Sequence, residues 1–98
     1  MTHRQVRVTP GFFEQLDAQL PGERGPEGEP SATDFIAIEL PTIIEQFAEH
    51  FDVLPEVVPG IEAARMLITP GVLVDVVVVY GLLASDGVID LIGMAIDI

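Results

Sequence analysis

The sequence predicts an α+β domain with element order β-α-α-β-β-β, in which an antiparallel sheet carries two helices packed on one face. Three observations predict it. Apolar residues recur at helical spacing through the first half of the 98-residue chain. Residues 64–98 are dominated by β-branched and other apolar side chains, and Pro, Gly and Asp-Gly punctuation separates the runs. Helices gathered in one part of a chain and strands in another make a sheet with a helix layer. This length holds one core without metal or disulfide staples, so residues 1–98 are expected to form a single domain.

Gln5–Val8 is short and alternates as a strand does. Thr9-Pro10 is a helix start, with Thr9 as N-cap and Pro10 in the first turn. Phe13, Leu16 and Leu20 follow at spacings of three and four, and Pro21-Gly22 stops the helix. The stretch PGERGPEGEP (21–30) has no apolar residue able to offset its ordering entropy and is expected to be a mobile loop between the helices. Ser31-Ala32-Thr33-Asp34 reads as a capping box, with Asp in the usual Glu position. Behind it Ile36, Leu40, Ile43, Ile44, Phe47 and Phe51 mark one long second helix, bent at Pro41. Pro55, Pro59 and Gly60 lead out of it.

Ala64–Ile68 is the second strand, and Thr69-Pro70-Gly71 has the residue order of a tight type II turn. Val72 through Tyr80 is β-branched almost throughout, so a third strand is expected to begin directly after that turn. Asp86-Gly87 reverses the chain, and Val88–Ile98 returns as the partner strand. The same tail is not a membrane span. Its longest uncharged run, Val76–Ser85, is about half of the roughly 20 residues a spanning helix needs, and Asp75, Asp86 and Asp90 would be costly in hydrocarbon.

Charge and composition exclude several functions. Sixteen acids stand against four arginines and no lysine, a formal charge of −12 that disfavours direct nucleic-acid binding. With no cysteine there is no disulfide, thiolate metal site or cysteine nucleophile, and a reducing cytoplasm is the expected location. The segment MTHRQVRVTP has no apolar run behind its charges and does not read as a signal peptide. No cofactor motif or gathered set of metal ligands is visible.

The segments VRVTPGFFEQL (6–16), ARMLITPGVLVDVVVVY (64–80) and DGVIDLIGMAI (86–96) together resemble the RelE/ParE superfamily of small bacterial toxins from toxin–antitoxin pairs. The resemblance implies a module that acts on translation or on DNA gyrase and is neutralised by an antitoxin. It also implies a basic residue where Arg65 opens the second strand, with Tyr80 as the lone tyrosine near the sheet. The chain departs from the RNA-cleaving branch, whose sheet and C-terminus carry basic and acid/base side chains where this one has MAIDI. RNA cleavage needs a base, an acid and cationic stabilisation of developing charge, and Arg65 with Tyr80 falls short of that set.

Each candidate has a plainer reading. Arg65 serves as an ion-pair partner, and Tyr80 is a core aromatic with its hydroxyl at the rim. His50 ends a helix, where a cation suits the dipole, and His3 lies near the N-terminus. Strand period places Asp75 on the face of Leu73, Val77 and Val79; with Asp90 and Asp97 it reads as charge that discourages sheets from associating rather than as a metal cluster. Two further functional readings stand beside the toxin-type module. One is a non-catalytic interaction protein, including an acidic nucleic-acid mimic that binds a basic protein. The other is an enzyme of another kind, disfavoured by the scarcity of His, Lys, Cys and Ser. The apolar strand Val88–Ile98 also predicts a homodimer, with one of its faces or edges covered by a second copy.

Overall fold

A computed structural model describes residues 3–97; Met1, Thr2 and Ile98, the last residue of the strand expected over Val88–Ile98, lie outside the described residues. The chain forms β1 (Val6–Val8), α1 (Pro10–Gln19), α2 (Ala32–Ile38), α3 (Leu40–His50), a short 3₁₀ turn (Phe51–Val53), β2 (Ala64–Pro70), β3 (Val76–Leu83) and β4 (Ile89–Asp97). No described helix is long and apolar enough to cross a membrane.

The α+β class holds, but the sheet is mixed rather than wholly antiparallel. Its order is β1-β4-β3-β2, with β1 parallel to β4 and the other neighbours antiparallel. The register Val6↔Ile89, Arg7↔Asp90 and Val8↔Leu91 explains the arrangement. It sends Val6 and Val8 toward the core and sets Arg7 beside Asp90, where the Nε–Oδ1 distance is 2.7 Å. Because side chains alternate, a slip of one residue would turn Arg7 into the core.

Three helices form where two were expected. Thr9 caps α1 by accepting from the Phe12 N–H, and Ser31 with Asp34 closes a reciprocal capping box on α2. The expected long second helix divides at Glu39. Pro41 stands in the first turn of α3, where its missing N–H costs nothing, and it cannot bond back to the turn before. The buried stripe nonetheless runs on across the division through Phe35, Glu39, Ile43 and Phe47, while Ile36, beside it, is 40% exposed. Loop 21–30 is anchored to the cap of α2 by Arg24, which donates to both Asp34 oxygens at 2.9 and 3.1 Å.

The helices cover one face of the sheet. Phe12, Leu16, Phe35 and Phe47 meet Val77, Val79, Ile89 and Leu91 in the centre of the core, and all eight are fully buried. Gly81 is required there, because a Cβ would overlap the Phe47 ring. The hairpin from β3 to β4 turns as expected at Asp86-Gly87, with Gly87 at φ 85° and its N–H donating to the Ala84 carbonyl. The turn expected at Pro70-Gly71 does not form. Pro70 pairs with Val76, and residues 71–75 make a longer connection in which Val74 is buried and Asp75 exposed.

That connection is held by Glu39. Only 6% exposed, its carboxylate accepts from the Val72 N–H at 2.8 and 3.0 Å and from the Leu73 N–H at 2.9 Å. One side chain thus joins the helix division to the turn between two strands, and Glu39→Ala leaves two amides without their acceptor. The variant is expected to lose about 1–3 kcal/mol of stability, whereas Glu45→Ala on the exposed side of α3 should stay within about 0.5 kcal/mol of wild type. Urea denaturation of the two variants checks this.

Candidate functional site

The residues singled out in the sequence are not brought together. Register pairs Arg65 with Gly81 and Met66 with Tyr80. Gly81 faces the helices, so Arg65 lies on the covered side of the sheet and Tyr80 on the other. Arg65 is occupied: Nε donates to the Glu62 carbonyl at 2.7 Å, and Nη1 donates to the carbonyls of Leu54 at 2.8 Å and Asp52 at 3.2 Å. Its guanidinium lies 5.7 Å from the Phe51 ring centre, and the nearest carboxylate, Glu56, is 3.9 Å away. Arg65 ties the segment after α3 onto β2, mainly through carbonyls rather than through an ion pair. Tyr80 is half-buried on the open face, opposite Gly93.

The aspartates also separate. Asp90 and Asp86 both bind Arg7, at 2.7 and 3.0 Å, while Asp75 and Asp97 sit at the far end of the sheet. Asp90 therefore balances a cation on an interior strand and is not an edge charge. Among the described residues no three His, Asp or Glu side chains gather to hold a cation, and no buried side-chain polar atom lacks a partner. His50 ends α3 as expected, 4.0 Å from Glu49, and His3 is exposed.

An open cleft of about 450 Å³ lies between β1 and α3, lined in part by His3, Arg4, Arg7, Ile44, Glu45 and Val88. Its arginines are already engaged. Arg4 donates to Asp52 at 3.2 Å and stacks 5.7 Å from the Phe51 ring centre, and Arg7 holds its two aspartates. The cleft offers no unpaired arginine to an anion.

The open sheet face has a different character. Val77, Val79 and Gly81 point to the core, so Val76, Val78, Tyr80 and Leu82 of β3 point away from it. Met66 and Ile68 lie beside them across the β2 register. A bulge between the Tyr80 and Gly81 pairings leaves Ile92 of β4 without an opposite residue. Ile68 is 59% exposed, Ile92 44% and Leu82 39%. No helix covers these side chains, and contiguous apolar surface of this kind marks an interaction site. The sequence showed strands apolar on both sides but not which side the helices take.

Stretches of two strand edges, by contrast, are covered. Beyond the reach of β1, the Met94 N–H donates to Gln15 Oε1 at 2.8 Å and the Ile96 N–H to Gln19 Oε1 at 2.7 Å. Gln19 Nε2 returns a bond to the Met94 carbonyl at 3.0 Å. Gln15 and Gln19 stand four apart on α1 and act as a substitute strand; their spacing was the signal by which sequence reading could have found them. On the other edge, Pro55 and Val57 exchange backbone bonds with Met66 and Ala64, and Pro70 supplies no N–H.

Two substitutions and a titration test these assignments. Arg65→Ala should destabilise by about 1–3 kcal/mol, and Arg65→Lys should recover little of it, because an ammonium cannot span carbonyls as the fork does. The Arg24 guanidinium, then the Ser31 N–H, hold the Asp34 carboxyl well below the usual range, and the Val88 N–H, then Arg7, lower that of Asp86. Depressed carboxylates stabilise fully above their unfolded pKa of about 4 and lose that contribution as pH falls toward the folded values. The melting temperature should therefore decline below about pH 4, less steeply in Asp34→Asn. Comparison with protein-family models, with curated proteins and with solved structures finds no match for this chain.

Proposed function

We propose that this chain is a non-catalytic protein-interaction module whose outer sheet face, built on Met66, Ile68, Val78, Tyr80, Leu82 and Ile92, is its working surface. The observation that carries the reading is an apolar sheet face open to solvent in a molecule whose buried side-chain polar atoms, among the described residues, all have partners. Chemistry has less support. Arg65 and Tyr80 lie on opposite faces of the sheet, and the guanidinium is bonded to carbonyls. The ribonuclease form of the RelE/ParE-like reading would need both groups on one substrate. The gyrase- or ribosome-binding form needs only a surface, and the antitoxin it implies would be one occupant of the same face. An acidic mimic of nucleic acid would instead present its charge to a basic partner, but the open face is apolar and its Asp90 is neutralised by Arg7.

Placement of a photo-crosslinking residue decides which surface is used. With benzoylphenylalanine at Ile68 on the open face, irradiation in cells is expected to yield protein adducts; at Glu45 on α3 it is expected to yield none. Adducts from Glu45 and none from Ile68 would assign binding to the helix side and sink the proposal.

A further inference from the structure

We infer that the occupant of the open sheet face is a second copy of this chain, packed face to face across a two-fold axis so that two sheets form the centre of the dimer. This rests on the reading of that face as the working surface and names its partner. Three observations favour the second copy.

The first is area. Strands β2, β3 and β4 are 7, 8 and 9 residues long. At about 3.3 Å per residue and 4.8 Å between strands, they present a footprint of roughly 25 by 15 Å, on the order of 400 Å² before corrugation is counted. Two such faces approach the roughly 1,000 Å² of total burial at which specific interfaces begin. Sheets of this twist pack face to face about 10 Å apart.

Charge is the second. Twelve of the sixteen acids lie between Glu14 and Glu62, in the helices and the loops around them, and only Asp90 and Asp97 lie on strands. Asp90 is balanced by Arg7, which leaves Asp97 at the end of β4. Face-to-face packing puts the two helix layers outermost, roughly 30 Å apart if each lies about 10 Å outside its sheet. That is several Debye lengths at about 8–10 Å each, so two chains of charge −12 can meet on this face with their repulsion screened. A basic partner would be drawn to the other side of the molecule.

Cover along parts of the edges is the third. The outer side of β4 is taken by Gln15 and Gln19, and that of β2 by Pro55, Val57 and Pro70. Strand addition is hindered along those stretches, among them the half of the C-terminal strand beyond β1, whereas the face carries no such cover.

Sedimentation equilibrium from micromolar to sub-millimolar concentration tests the inference, with Ile68→Asp and Val78→Asp as variants and circular dichroism as the check of folding. The wild type is expected at the mass of two chains. Each folded variant should raise the dissociation constant at least about tenfold, since a charge would be buried unpaired in each half of the interface. If neither variant folds, the photo-crosslinker at Ile68 in purified protein serves instead: a covalent dimer supports the inference and its absence overturns it. A wild type of single-chain mass throughout the range overturns it. So does a dimer that both folded variants leave unchanged. Single-chain mass combined with Ile68 adducts to other proteins in cells would remove the second copy while leaving the interaction module standing; single-chain mass without adducts would remove both.

Discussion

A single helix layer must serve a sheet that is apolar on both sides, and the rest of the structure follows from that mismatch. Burying the inner face uses every large aromatic side chain except Tyr80: Phe12, Phe35, Phe47 and Phe51 are buried against the sheet, and Phe13 packs against their cluster. Nothing comparable remains for the outer face. A Val, Leu or Ile side chain is worth about 1.5–3 kcal/mol on full burial, so Ile68, Leu82 and Ile92 forgo much of that term while they face water. Strands that are polar on one side would have avoided the loss. In the single chain that burial is left unrealised.

The treatment of the edges sharpens the contrast. An open strand edge offers unpaired amides to any extended chain, and this fold covers parts of its edges with specific devices. Gln15 and Gln19 reach from α1 to complete the ladder of β4 where β1 is too short to do so. Gly93 allows the approach, because a Cβ there would come within 2.8 Å of the Gln15 amide oxygen. Backbone pairing is hindered along these stretches, while the apolar face carries no such cover. Side-chain packing across a face is specific in shape, whereas backbone pairing along an edge accepts almost any extended segment.

Local chemistry was legible in the sequence, and long-range geometry was not. Thr9, Ser31 with Asp34, and Asp86-Gly87 each act through atoms no more than a few residues away, so their signals survive without knowledge of the fold. The direction of β1 is different. The pattern Val-x-Val fits a parallel or an antiparallel neighbour equally, and what decides is Arg7 meeting Asp90, eighty-three positions along the chain. The turn expected at Pro70-Gly71 failed for a similar reason. Glu39 offers its carboxylate to the amides of Val72 and Leu73, and the wider connection it stabilises outweighs the local preference for a tight turn. Pro41 was identified as a bend, but whether a proline bends a helix or divides it depends on what its neighbours contact. Here Glu39 turns to the loop.

The fate of Arg65 shows why a residue type at a familiar position is weak ground for chemistry. In a chain with sixteen acids, an arginine at a strand start looked like an ion-pair partner, yet most of its hydrogen-bonding capacity is used on the carbonyls of Asp52, Leu54 and Glu62. Those carbonyls belong to an irregular segment that has no ladder of its own, and backbone groups left without partners are expensive. The guanidinium fork can satisfy several at once, and its charge is spread over the Phe51 ring instead of being concentrated on a carboxylate. A group committed in this way would have to release the segment after α3 before it could reach a phosphate. The same logic applies to Arg7, whose two aspartates fix the register of β1, and to Arg24, which secures the cap of α2. With Arg4 on Asp52, each of the four arginines is bound up in the fold. An anionic ligand would therefore find no arginine free to receive it.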